Sequence, residues 1–200
     1  MDVKEKRRLI VASGNAHKLR EIAEIFTEFE VFSQKQMGFD VDVEETGSTF
    51  MENALIKARA ASKALGLPTL ADDSGLCVDA LDGAPGVFSA RYCGYHGSDK
   101  ENRDLLLKNM QGIENRSAHF TSAVVLVYPD GTELTAEGHT YGKILTEEQG
   151  EGGFGYDSLF ESDDLKKSFG LATAAEKNKV SHRFRALQAL LAKWREYEKE

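Results

Sequence analysis

Cysteine is scarce in this chain: Cys77 and Cys93 are the only two in 200 residues, and they form neither a CxxC pair nor a zinc-ligand pattern. A disulfide framework is therefore excluded, and both read as reduced thiols of a cytoplasmic protein. Proline is nearly as rare, at three, and no Pro- or Ser-rich tract, internal repeat or low-complexity segment divides the sequence. That favours one domain over residues 1–200, long enough to bury a core without disulfides or a structural metal. Long apolar runs are missing too: none approaches the ~18 residues of a membrane span, and the opening MDVKEKRRLI has no apolar signal core. No membrane association is expected. Positive charge is in deficit, with 25 Lys and Arg against 33 Asp and Glu and a net charge of −8. A protein that grips a nucleic-acid polymer needs clustered Lys and Arg, so that partner is not expected either. A small anion carried with its own Mg²⁺ remains compatible.

What is present begins with Leu70 to Arg91, LADDSGLCVDALDGAPGVFSAR, where Asp72 and Asp73 follow a short apolar run and precede Ser74 and Gly75. Adjacent ionised carboxylates repel, so a fold keeps both only where a cation, a helix terminus or solvent offsets the repulsion. The pair is either a metal or catalytic site at a strand end or a solvated turn. Upstream, Arg8 to Ser13 is a β-branched run, and Leu19, Ile22, Ile25, Phe26 and Phe29 recur at helical spacing. Ser13, Gly14, Asn15, Ala16, His17 and Lys18 join the two, a turn whose amides and helix start suit an anion such as phosphate. It is not a Walker A loop, which requires GxxxxGK[ST].

Glu30 to Gln34 reads as a second strand, and the acidic loop DVDVEETG (40–47) follows. Glu44 and Glu45 either supply a further metal carboxylate or are merely solvated. Thr49 to Glu52 has the capping-box pattern, and Met51, Ala54, Leu55, Ala58, Ala61 and Leu65 mark the buried face of the helix it opens. Asn53 and Lys57, four apart, lie on a neighbouring face, either reaching towards a site or solvated. Pro68 to Asp72 and Leu76 to Val78 read as strand around the acids. Ser98 to Glu101 is a second capping box and opens another helix, Ala118 to Tyr128 is the clearest strand, and the turn at 129–132 leads to a hairpin partner at 133–141.

The segment GEGGFG (150–155) matches GxGxxG but fails as a dinucleotide fingerprint, because no strand precedes it and no helix follows. It reads as a flexible loop presenting Phe154, Tyr156 and Asp157, running into a strand at 156–160. Its aromatics either bracket a flat ring or anchor the core. Thr173 to Glu176 is a third capping box, and Phe184, Leu187, Leu190, Leu191 and Trp194 define a last amphipathic helix. Its first turn holds Ser181, His182 and Arg183, with Lys177 just before. The order of strands and helices, with one hairpin, predicts an α/β fold on a mixed sheet.

Carboxylates without a His or Cys constellation point to a hard cation, Mg²⁺ or Mn²⁺. Ser74 lacks the GxSxG setting of an activated nucleophile. Phosphate chemistry remains: a helix start with Lys18, a second Lys57, and acids able to hold Mg²⁺ and orient a water. An ordinary Asp, with a pKa of about 3.9, is a weak base at neutral pH, and metal coordination closes part of that gap by acidifying the water. The residues alone thus lead to a Mg²⁺-dependent phosphoanhydride hydrolase, with a non-hydrolytic nucleotide binder as the rival.

The blocks SGNAHK (13–18), EETGSTFMENALIKA (44–58), ADDSGLCVDALDGAPGVFSARY (71–92), GGFGYD (152–157) and EKNKVSHR (176–183) resemble, in order and over nearly the whole chain, the inosine triphosphate pyrophosphatase family, the dITP/XTP pyrophosphatases. The resemblance implies a long mixed β-sheet flanked by helices, two lobes around a central active-site cleft, and a homodimer. It implies removal of pyrophosphate from deaminated purine triphosphates. Ser13 to Lys18 would hold the phosphates, with Asn15 and Lys18 as principal contacts and Lys57 assisting. Glu44 and Asp73 would bind Mg²⁺, Asp73 would also deprotonate the attacking water, and Asp72 would support them. Ser74, Phe154, Gly155, Tyr156, Asp157, Lys177, His182 and Arg183 would form the nucleoside pocket, with Phe154 stacked on the base.

The base preference follows physically. Hypoxanthine and xanthine present an acceptor oxygen at position 6, where adenine presents an amino donor. Lys177, His182 and Arg183 offer donors, so adenine would leave them unpaired, and a site built on a hydrogen bond can reject the wrong partner by about 10⁴-fold. Rival readings are a septum-inhibition-type pyrophosphatase for other modified nucleotides and a nucleotide-sensing module.

Overall fold

A computed structural model describes residues 6–96 and 98–199, with the side chain of His17 outside the described set. Seven strands form one mixed sheet in the order β2-β1-β3-β4-β5-β6-β7. These are β1 (Arg7–Val11), β2 (Phe29–Ser33), β3 (Thr69–Val78), β4 (Ser117–Val127), β5 (Glu133–Ile144), β6 (Phe160–Ser162) and β7 (Lys167–Ser168). Among the described residues, five α-helices accompany them: α1 (Ala16–Ile25), α2 (Phe50–Leu65), α3 (Asp99–Asn109), α4 (Ala174–Val180) and α5 (His182–Tyr197). The expected α/β class with a mixed sheet is what the structure has. Among the described residues no helix is long and apolar enough to cross a membrane.

The chain divides into two compact units, the first holding residues up to Asp73, Ala123–Glu137 and Ala186 onward, the second Ser74–Ser122 and Gly138–Arg185. In the first unit, β1 pairs in parallel with β2 (Leu9 opposite Val31) and with the start of β3 (Ile10 opposite Thr69). Successive residues of a strand point to opposite faces, and here both faces are buried. Leu9, Val11, Leu70, Val124 and Leu126 pack with Ile22 and Phe26 near α1 and with Leu187, Leu190 and Trp194 of α5. Ala71, Val125 and Val127 pack instead on Ala54, Ala58 and Ala61 of α2. That is why the AVVLV run of β4 is continuously apolar rather than alternating. The three alanines of α2 are small, so this helix can lie close against the sheet and carry its neighbours Asn53 and Lys57 with it.

The second unit builds its core from Leu76, Val78, Leu106, Met110, Phe120, Ile144, Leu159, Phe160 and Phe169. β5 and β6 pair antiparallel, Gly142 opposite Ser162. A side chain at Gly142 would bring a Cβ within 2.1 Å of the Glu161 carbonyl oxygen, so only glycine permits this approach.

Several sequence expectations shift. β3 runs unbroken from Thr69 to Val78, so Asp72 and Asp73 sit in mid-strand rather than at a strand end. α1 ends at Ile25, and Phe29, placed by spacing on that helix, starts β2 and packs on Trp194 at 4.7 Å between ring centroids. The strand expected at 156–160 is a 3₁₀ turn over Asp157–Leu159, with β6 beginning at Phe160. The Asp157 carboxylate accepts the Phe154 amide and curls the chain there. Reciprocal capping boxes form at Thr49 with Glu52 and at Thr173 with Glu176. At Ser98 the hydroxyl accepts the Glu101 amide, while the Glu101 carboxylate bonds the Tyr95 hydroxyl instead of closing the box.

α2 is anchored by that first box and closed by Gly66 in the left-handed region. Thr49→Ala should lower unfolding stability by about 1 kcal/mol, read as a shifted urea midpoint with an unchanged slope.

Candidate active site

Strand alternation separates the two acids. Asp72 shares its face with Leu70, on the α1 side of the sheet, and Asp73 shares its face with Ala71, on the α2 side. The two carboxylates therefore do not compete for one cation, and each has its own lysine. The side chain of Asp72 is fully buried and ion-pairs with Lys18 Nζ of α1 at 3.0 Å. Asp73 accepts a hydrogen bond from Asn53 Nδ2 of α2 at 3.2 Å and lies 3.9 Å from Lys57 Nζ.

Lys57 is more deeply engaged than a solvated lysine, with 16% of its side chain exposed. It donates to Glu45 Oε1 at 2.6 Å and to the Asp72 main-chain carbonyl at 3.0 Å. Asn53 is fully buried, and its carbonyl oxygen accepts the Gly47 amide at 2.8 Å, so one side chain ties the acidic loop to Asp73. A Cβ at Gly47 would fall 2.7 Å from that same Asn53 oxygen, which explains the glycine. Burial pushes the Asp73 carboxyl above its ordinary value; Lys57 opposes the rise, Glu45 adds to it, and Asn53 and Lys18 pull it down. Asn53 is absent from the sequence-expected site, although its i, i+4 relation to Lys57 was the available signal. The acidic loop brings Glu45 to Lys57, while Glu44 beside it is exposed.

At the turn before α1, Ser13 is half-buried and Gly14, Asn15 and Ala16 are exposed. The Ser13 hydroxyl accepts the Asn15 amide at 3.1 Å, and Asn15 Oδ1 accepts the Lys18 amide at 3.3 Å. No acidic residue occupies the first turn of α1, so nothing negative in the helix itself offsets the positive end of its dipole. For His17 only the backbone belongs to the described residues.

The second unit holds the remaining expected positions. Ser74 is half-buried in β3. The two loop aromatics take different roles: Phe154 is 59% exposed, whereas Tyr156 is 4% exposed and donates its hydroxyl to the Ser89 carbonyl at 2.8 Å. Burial raises the Tyr156 phenol well above its ordinary value, so it stays neutral. Asp157 is buried and ion-paired with Lys177 at 2.5 Å. The Lys177 ammonium also lies 4.5 Å from the centre of the Phe154 ring and 5.5 Å from that of Phe169. A Cβ at Gly153 would collide with the Asp157 carboxylate at 2.1 Å, and Gly153 has a φ of +77°. His182 is buried and stacked on Phe120, with ring centroids 5.0 Å apart, and Arg183 beside it at the start of α5 is buried as well. The structure thus assembles Phe154, Asp157 and Lys177 as one group and seats His182 in an aromatic stack.

The fold and these clusters define an α/β protein with a carboxylate and lysine centre on a mixed sheet. The chain belongs to the Ham1 family, whose sequence profile matches residues 9–193. It is 48% identical over 194 residues to the dITP/XTP pyrophosphatase of Haemophilus influenzae, covering 94% of this chain and 99% of that one. To the dITP/XTP pyrophosphatase of Chromobacterium violaceum it is 50% identical over 189 residues, covering 93% and 96% respectively. The structure of the Staphylococcus aureus Ham1 protein superposes with a TM-score of 0.90 at 38% identity, covering 96% of this chain and all of that one.

The Lys18–Asp72 pair makes a quantitative test. Lys18→Ala would strand a buried carboxylate and should cost about 3 kcal/mol of stability. Adding Asp72→Asn should recover a large part of that loss in urea unfolding; strictly additive losses would mean that the two groups are not coupled.

Proposed function

We propose that this chain is a nucleoside triphosphate pyrophosphatase that hydrolyses deaminated purine nucleotides, ITP, dITP and XTP, to the monophosphate and pyrophosphate. In a cell this removes such nucleotides before they enter DNA or RNA. The observation that carries the reading is the pair of mid-strand carboxylates, each with a separate lysine, in a chain that resembles dITP/XTP pyrophosphatases over nearly its full length.

The donor set suits a hard divalent cation. Asp73 and the loop acids offer carboxylate oxygens, and the burial that resists charge on Asp73 is relieved by a cation beside it. Asp73 and Glu44 would hold Mg²⁺, with Mn²⁺ as a substitute, while Glu45 is engaged by Lys57. Among the described residues no three His, Cys, Asp or Glu side chains converge, so the remaining ligands would come from phosphate and water. When bound, the metal supplies charge neutralisation at the phosphates and a more acidic water.

The chain's own groups do the rest. The amides of Ser13 to Lys18 at the start of α1, the Asn15 side chain and the Lys18 ammonium hold the phosphates, assisted by Lys57. Asp73, oriented by Asn53 and raised in pKa by burial, takes the proton of the attacking water. The water oxygen bonds to the α-phosphorus, the bond from that phosphorus to the bridging oxygen breaks, and pyrophosphate leaves with the electron pair. Asp72 keeps Lys18 in place. For the base, Phe154 offers an exposed face for stacking, and Lys177, His182 and Arg183 offer donors to the 6-oxo group. Asp157 fixes Lys177, Tyr156 anchors the loop, and Ser74 and Gly155 complete the nucleoside pocket. Residues 1–200 act as one catalytic domain, in a cytoplasmic homodimer that binds neither a nucleic-acid polymer nor a membrane.

Incubating the protein with ITP and Mg²⁺ in ¹⁸O-labelled water should yield labelled IMP and unlabelled pyrophosphate. IDP plus phosphate, or label in the pyrophosphate, would overturn the proposal.

A further inference from the structure

The glycine loop carrying Phe154 is held from outside by α3 in a way the catalytic reading does not use. Asp99, the first residue of α3, and Arg103, one turn later, share a face of that helix. Asp99 Oδ2 accepts the Gly155 amide at 2.7 Å, and Arg103 Nη1 donates to the Gly155 carbonyl at 2.9 Å. Both main-chain polar groups of the residue between Phe154 and Tyr156 are therefore fixed by side chains of one helix. Arg103 Nε also ion-pairs with Glu148 Oε2 at 2.9 Å, and Glu148 accepts the Ser158 hydroxyl at 2.7 Å, closing the base of the loop. The Gln149 amide donates to the Ser158 carbonyl at 2.8 Å, a second tie between the loop's two ends.

Packing does not hold the loop tip in the same way. A cavity of about 430 Å³ lies against it, lined by Asp99, Arg103, Glu148, Ser158 and the loop itself. A Cβ built at Gly155, whose φ is +59°, would touch nothing within 4 Å. With glycine at 150, 152, 153 and 155, the loop has few side chains to fix its conformation, and glycine adds backbone freedom. Asp157 holds the Phe154 amide and Lys177 lies against its ring; the polar bonds from α3 add the constraint on the residue that follows, and so on where the exposed Phe154 ring stands.

We propose that Asp99 and Arg103 are positioning residues for base recognition: acting through Gly155, they set the placement of Phe154 and so the acceptance of the purine. This rests on the reading of Phe154 as the base-stacking residue. The bonds of Asp99 and Arg103 go to Gly155 and Glu148 and to no residue proposed to hold the phosphates, so the chemistry at Asp73 should be spared. A ~1 Å misplacement can cost up to 10²-fold, and here the loss should fall on binding, because the stacking surface is displaced while the phosphate groups are not.

The test is steady-state kinetics with ITP and ATP on full-length Arg103→Ala, Asp99→Leu and Asp99→Asn, with hydrogen exchange at the Gly155 amide measured on the same proteins. Arg103→Ala and Asp99→Leu should raise KM for ITP about tenfold or more, leave kcat near wild type, narrow the ITP to ATP ratio of kcat/KM and speed exchange at Gly155. Asp99→Asn keeps an acceptor oxygen and should restore both KM and protection. A fall in kcat at constant KM, or kinetics unchanged while Gly155 exchanges faster, would overturn the positioning role. So would unchanged protection of Gly155 in both disrupted variants. A wild-type enzyme with no preference for ITP over ATP would instead defeat the base-recognition reading on which the proposal stands, a result visible before any variant is made.

Discussion

The side-chain alternation of β3 is the constraint on which the candidate centre depends. Two adjacent aspartates in one strand must point to opposite faces, and each face presents a different helix with a different lysine. Asp72 is buried on the α1 side with Lys18; Asp73 meets Asn53 and Lys57 on the α2 side. Charge repulsion between neighbours, which would ordinarily exclude such a pair from a fold interior, is met by separating the two carboxylates and compensating each. The division leaves the two acids in different settings: Asp72 pairs with the lysine at the start of α1, and burial raises the proton affinity of Asp73, which suits the tasks proposed for them.

The helices can serve this centre because of how they pack. Ala54, Ala58 and Ala61 let α2 approach the sheet, and the capping box at Thr49 fixes where the helix starts, hence where Asn53 and Lys57 emerge. Gly47 permits the acidic loop to close onto Asn53. In the second unit the same logic uses polar bonds rather than apolar packing. Gly153 makes room for the Asp157 carboxylate, Asp157 holds Lys177, and Asp99 and Arg103 hold Gly155. Phe154, left 59% exposed, is thus placed by its buried or polar neighbours.

Much of this was legible in the sequence wherever the signal is local. The AVVLV run of β4, the capping patterns at Thr49 and Thr173, and the turn at Ser13 to Lys18 before a helix all form as expected. What could not be read are features decided by distant partners. Asp72 and Asp73 looked like a strand end because acids and glycine are poor strand formers, yet the flanking hydrophobic residues and lysines from two helices keep the strand continuous. Phe29 fits a helical spacing by coincidence, but its contact with Trp194, 165 positions later, belongs to a strand. Asn53 looked like a flanking polar residue because nothing local reveals the Asp73 carboxylate it meets. Asp99 sits in a helix-start pattern, but nothing in the sequence links it or Arg103 to the glycine loop, since their partner is a main-chain group of Gly155.

The most direct measurement is Asp73→Asn, assayed in parallel for ITP turnover and for calorimetric binding of ITP in the presence of Mg²⁺. Asparagine keeps the shape and a hydrogen-bonding oxygen but cannot accept the proton of water at neutral pH. The account predicts turnover lower by about 10²–10⁴-fold or more, with the nucleotide still bound through the phosphate turn and the base pocket. Near-normal ITP hydrolysis by this variant would contradict the assignment of Asp73 as the general base.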